Sequence, residues 1–450
     1  MMSNSKKTNS LFKLVFQPWM ICTIAMLFYC YNYFLRVSPS VMQYPLMQEL
    51  HINALEFGTL AAFYYWAYTP MQIPVGMIYD RFGARTVQFF ACLTAVIGVG
   101  IFIIADDYIM ACIGRFLIGL GTAFAYIGVL KLASVWLPSN RFATVAGLTT
   151  AFGMASAIVS DKYLTMFVQA IGYQNALHVC LVLGAILSIL ILIAMRNKPK
   201  EFLPGRISYK MVPMSIRELL SSLRIVLMNP QIWLVGIIGC LFYLPASVFL
   251  DLWGIPYLKT VYQLSPEQAA NAVSCVFVGW IISGPSIGAL SDKIRRRRMP
   301  LLISATMATI LLGIIFYVPN LSLSVLYVLF FFVGIFCGAH PLCFALGKEN
   351  CSHEISGTAV AVTNTLIMLG GMIFQPVVGI LLDNHSFGAV LHNGIQTYSA
   401  SDYNYALSIV PIGLTIAIIL TFFLEETYCE SKQAEGTGPK VMAKKWVLER

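Results

Sequence analysis

Charge is what this 450-residue sequence has least of. Only 11% of its residues are Asp, Glu, Lys or Arg, where a soluble domain carries about 25%. That shortage excludes an ordinary water-solvated surface. The short signatures of common chemistries are missing too: no GxxxxGK[ST] loop, no HExxH, no GxSxG and no CxxC or zinc spacing. A self-fuelled P-loop ATPase is excluded, and an enzyme built on those motifs is not expected. Any work must come from a gradient, with no cofactor beyond a coupling H+ or Na+. The eleven cysteines fall mostly inside apolar runs and read as small packing residues.

What is present is apolar: 58% of the residues are hydrophobic and the mean hydropathy is +0.76. A helix crosses a bilayer with about 20 mostly apolar residues. Such stretches lie near 19–41, 56–78, 86–104, 108–131, 143–166 and 175–195, then near 231–252, 268–290, 300–318, 323–346, 357–381 and 404–424. The lysines before Trp19 resemble a signal peptide's basic start, but nothing small and cleavable follows, so the run is taken as the first span. The net charge of +9 is explained by topology. With both termini inside, all the Lys and Arg residues except Arg36, Arg115, Lys131, Lys162 and Lys259 fall in cytoplasmic segments. Nucleic acid is therefore not an expected partner.

The chain divides into a bundle at 1–195, a polar linker at 196–229, a second bundle at 230–426 and a cytoplasmic tail at 427–450. In the linker, Ile216, Leu219, Leu220, Leu223 and Leu227 recur at helical spacing, which predicts an amphipathic helix on the inner membrane surface. Features of the first bundle return in the second at an offset of about 210–215 residues. Trp19 matches Trp233, Gly119 matches Gly334, and Gly147-Leu-Thr-Thr-Ala matches Gly357-Thr-Ala-Val-Ala. Gly76-Met-Ile-Tyr-Asp80-Arg81-Phe-Gly83-Ala-Arg85 returns as Gly288-Ala-Leu-Ser-Asp292-Lys293. Parallel repeats of this kind place a solute site at their interface, near mid-bilayer.

With these motifs the sequence resembles the major facilitator superfamily, whose loop between helices two and three has the form GxxxDRxGRR. Arg115-Phe-Leu-Ile-Gly119-Leu-Gly121 likewise resembles that family's fourth-helix RxxxGxG. The resemblance covers the whole chain. It implies an all-α membrane protein of twelve transmembrane helices in two pseudo-symmetric six-helix bundles, working by alternating access. It also implies a gating role for Asp80, Arg81, Arg85 and Asp292, which would latch the two halves on the inner side and release them as the carrier rocks. The fifth span, from Gly147 to Ala157, lacks the Gly-Pro step of the family's drug exporters, so uptake is preferred to efflux.

Ionisable residues inside a span are costly and mark function by default. Tyr29, Asn32, Tyr33 and Arg36 share one face of the first span, and Arg115, Gly119, Thr122 and Tyr126 one face of the fourth. Two convergent arginines suit a carboxylate or phosphate. Asp251, at the end of the seventh span, occupies nearly the repeat position of Arg36 with the opposite sign, so the two are expected to pair across the outer opening in one state and part in the other. Organic anion/proton symporters of the superfamily carry an Asp just before the first arginine and a Glu about seven residues after the second. Here those places hold Leu35 and Thr122, which leaves Glu56, Asp161, Asp251, Glu349 and His340 as candidates for proton coupling. Lys131 is expected to face the inner headgroups, and Asn364 and Gln375 to bond between helices.

The expected protein is thus a carrier of a small polar, anionic or zwitterionic organic solute in a bacterial inner membrane. It would act as a functional monomer whose partners are that solute and the lipid bilayer. The substrate-binding set is Tyr29, Asn32, Tyr33, Arg36, Arg115, Tyr126, Asp251 and His340. An efflux antiporter and a non-transporting receptor of the same fold remain as alternatives.

Overall fold

The computed structural model describes residues 2–137, 141–197, 216–386, 391–392 and 395–430, with side chains described outside 2–16, 142–143, 353 and 391–395. Lys198, Lys200, Arg206 and Lys210 of the linker, and the tail's five basic residues, lie outside that set. Among the described residues the chain is helical apart from one antiparallel pair, Leu391–His392 with Ile395–Gln396, between the last two spans. Ten helices among the described residues are long and apolar enough to cross a membrane. The expected spans not among those ten are the second and fifth, and both are segmented.

The second span runs Ala54–Met71, turns, and resumes as Val75–Phe82. Asn53 and Glu56 form a reciprocal cap at its start, satisfying two backbone donors that would otherwise be orphaned. Pro70 and Pro74 flank the interruption, since each removes a backbone donor from the ladder. The fourth span, Tyr108–Thr122 and Ala125–Trp136, is broken at its middle, and so is the tenth, Leu323–Cys337 and Leu342–Glu349. The fifth passes through a π-helical stretch, Ser160–Leu164, between Phe142–Val159 and Thr165–Ile171. The seventh does the same at Pro245–Trp253, between Pro230–Phe242 and Gly254–Val261. Asp251 therefore does not end its span, as the hydropathy suggested; the helix continues to Val261 and leaves the carboxylate inside it.

The repeat is visible in packing. A Cβ on Gly119 would lie 2.0 Å from the Tyr64 carbonyl oxygen, and one on Gly334 would lie 2.0 Å from the Val276 carbonyl oxygen. The first contact joins spans four and two, the second spans ten and eight. Close helix approach through small residues is how membrane helices associate where no hydrophobic driving force separates helix from lipid. The linker helix forms over Ile216–Leu227. One face packs on the bundle, Val226 and Leu223 against Ile232, Ala359, Val362 and Leu366 of spans seven and eleven, while Ile216, Leu220 and Leu227 stay exposed.

Candidate functional site

The two bundles are bonded together at the end that the charge reading takes as the outer one. Arg36 of span one donates from Nε to Asp251 Oδ2 at 2.8 Å and approaches the same oxygen with a terminal nitrogen at 2.7 Å. That nitrogen also donates to the Tyr243 hydroxyl at 3.0 Å, and the Tyr65 hydroxyl donates to Asp251. The guanidinium sits over the rings of Tyr33, Tyr65 and Tyr243, 5.1–5.7 Å from their centroids. Both charged side chains are only 3% exposed, so their attraction is not weakened by water. Nearer the outer surface, Asp383 at the end of span eleven accepts from the first backbone donors of span two, Ala54 N at 3.3 Å and Leu55 N at 2.9 Å. A carboxylate at a helix N-terminus meets the positive end of the helix dipole. Tyr398 bridges to both partners, and the Trp253 ring packs edge-on against Phe57.

Beneath this seal the remaining candidates form one cluster. Tyr29 packs against Tyr33 and Tyr126, with ring centroids 5.2 Å apart in each case. Asn32 accepts from Tyr64, whose hydroxyl accepts from Thr122 at 3.3 Å. Arg115, 2% exposed, donates to the Leu35 carbonyl at 3.0 Å and lies over the Tyr64 ring, but its Nε has no partner. His340 is wedged among Tyr243, Trp280 and Phe344, with Nε2 unpartnered. The eight residues of the expected set are thus linked through shared neighbours. What sequence reading missed is the connecting layer: Tyr64, Tyr65 and Tyr68 on span two, and Tyr243 and Trp280 on spans seven and eight. Three phenols within five positions of a membrane span were the available signal.

The inner side is different. Spans two and eleven stay in contact from the Asp383 clasp inward to Asn364, which donates to Gln72 at 3.0 Å. Further inward, Gly76, Gly147, Gly284, Gly288 and Gly357 each face open space. The two halves are thus bonded to one another at the Asp383 end, which the charge reading takes as the outer one.

The motif residues accordingly bond within their own halves rather than across. Asp80 pairs with Lys131 at the inner end of span four. Arg85 donates to the Leu192 carbonyl of span six, and Arg81 lies over Phe82. Asp292 pairs with Arg297 at 2.6 Å, and Arg297 pairs with Glu349 at 2.8 Å. Of the proton-coupling candidates, Glu56 and Glu349 are therefore committed to a cap and an ion pair. Gln375 donates to the Ser247 carbonyl, an interhelical bond of the kind expected.

Comparison with known proteins gives the same architecture. The family model described as Major Facilitator Superfamily matches residues 21–375. The probable sulfoacetate transporter SauU of Cupriavidus necator is 22% identical over 81% of this chain and 87% of its own. The lysosomal dipeptide transporter MFSD1 of Danio rerio is 22% identical over 80% of each. Among solved structures, a bacterial homologue of the human lysosomal transporter Spinster, inward-facing and unoccupied, superposes with a TM-score of 0.71 at 16% identity, covering 91% of this chain and 97% of that one.

Proposed function

Because the chain belongs to the major facilitator superfamily, we propose that it is a secondary carrier that takes up a small organic acid or zwitterion by alternating access across a bacterial inner membrane. The observation that carries this reading is the charge balance of the buried cluster. Two guanidiniums, Arg36 and Arg115, face one ion-paired carboxylate, Asp251. Arg115 is satisfied only by a backbone carbonyl and a ring face, with a donor to spare. A carboxylate or sulfonate offers that donor a charge-assisted bond, about twice as strong as a neutral one. The tyrosine layer supplies flat apolar walls with hydroxyls for the rest of the solute. SauU and MFSD1 are named for a small dianion and for dipeptides, and both classes carry such a group.

In this reading Arg36 has two partners in turn. Asp251 holds it while the outside is sealed, and it is released to meet solute when the outside opens. Asp80, Arg81, Arg85 and Asp292 would exchange their present partners for contacts between halves when the inside closes.

A thermal-shift panel of sulfoacetate, sugar acids and dipeptides on purified protein tests the site. Ligands that raise the Tm of wild type should lose at least tenfold in apparent affinity in Arg115→Ala, and Arg115→Lys should recover little, because a point charge does not replace a planar fork. The same hits persisting unchanged in Arg115→Ala and Arg36→Ala would remove the site.

A further inference from the structure

Asp161 is 0% exposed and neither of its carboxylate oxygens has a hydrogen-bond partner. Transferring an ionised, unpartnered carboxylate into such surroundings costs several kcal/mol. The residue lies in the π-helical stretch of span five, and Asp251 lies in that of span seven. These are the two π-helical segments among the described residues, and such segments are frequent at functional sites. The stretch around Asp161 packs against span one and against span eight of the other half, so it belongs to the outer seal.

Ionisable groups near it do not relieve the burial. Span one carries Tyr29, Tyr33 and Arg36, and Arg36 is turned to Asp251. Span eight carries Glu267 and Cys275 along its outer half, and neighbouring Lys162 on span five is exposed. None of them bonds either Asp161 oxygen.

We propose that Asp161 is the proton-binding group of this carrier and that it must hold a proton for the outer side to seal. When spans five and eight part, water reaches the carboxylate and the proton leaves to it; when they close, one proton is taken up from outside. With Asp161 neutral, Arg36 and Arg115 against Asp251 leave the buried cluster one net positive charge, which suits a monoanionic solute; the proton, exchanged with the outside in each cycle, gates the seal and is not carried across. His340 is the competing candidate, but a proton there would set a second cation beside Arg36, and its ring is enclosed by aromatic faces. The use of the proton rests on the transport reading above, whereas its presence on Asp161 is measurable without any solute.

The test uses the full chain in lipid nanodiscs. Infrared spectra should show a carbonyl stretch of a protonated carboxyl group near neutral pH that Asp161→Asn removes and Asp161→Glu shifts. A cysteine placed at buried Ser40 in the outer seal should react with a membrane-impermeant thiol reagent faster as pH rises in wild type, by several-fold more than the rise in thiolate fraction measured on an exposed cysteine of the same protein, and by no more than that rise in Asp161→Asn. An unchanged band in both variants, or the same pH dependence of labelling in Asp161→Asn, would overturn the proposal. The Asp161→Glu band shift carries the test if the asparagine variant does not fold. A band assigned to Asp161 with no hit in the ligand panel would uphold this inference while removing the solute reading.

Discussion

Arg36 and Asp251 show how a single pair can be both a cost and a device. Each is nearly inaccessible to water, and removing one partner of a buried pair typically costs about 3–5 kcal/mol because the other is left uncompensated. In Asp251→Asn that penalty falls on the outer-sealed state, where the guanidinium is buried, and is relieved in any state that lets water in. The outer side should therefore open more often, raising labelling of a Ser40→Cys probe by tenfold or more; an unchanged rate would mean that the pair does not hold the seal. The pairing was legible from the repeat offset and the opposite signs of the two positions. Of the tyrosines around it, Tyr33 was singled out, but Tyr65 and Tyr243 were not, because an aromatic in a span reads first as packing. Only the fold shows that Tyr65 and Tyr243 aim their hydroxyls at the ion pair.

At the scale of elements, hydropathy located the spans because the bilayer sets their length, but it gave no sign of their interruptions. A turn at 72–74, or a π-helical stretch under Asp161 and Asp251, changes no apolar count; it depends on which neighbour presses on the helix. The end of span seven was set too early because Asp251 was taken as a boundary, whereas the apolar run after it, Leu252 to Leu258, is buried and continues the helix. Glycine positions were more informative. Gly119 and Gly334 sit where two backbones touch, whereas Gly147 and Gly288 face open space. Gly119→Val and Gly334→Val should therefore destabilise by about 1–3 kcal/mol or more through overpacking against a carbonyl. Gly147→Ala and Gly288→Ala should leave the Tm of purified protein nearly unchanged. Equal effects at all four positions would contradict the packing described here.

For the whole molecule, the two halves are joined from the Asp383 clasp to Asn364, and on the proposed reading this arrangement is one end state of a rocking cycle. On the same reading, an inside-open state accounts for the local bonding of the Asp80 and Asp292 motifs, to Lys131 and Arg297. No sequence pattern specifies which state is occupied, because both states use the same residues with different partners. A ligand shifts such an equilibrium only by its differential affinity for the two states. Paired spin labels across the outer ends, at His51 and Tyr405, and across the inner ends, at Gly147 and Gly288, measure the central claim directly. Wild type should show a short outer and a long inner distance, and Asp251→Asn or a ligand from the thermal-shift panel should lengthen the first as it shortens the second. Distances that stay fixed under every condition, or that lengthen together at both ends, would contradict alternating access.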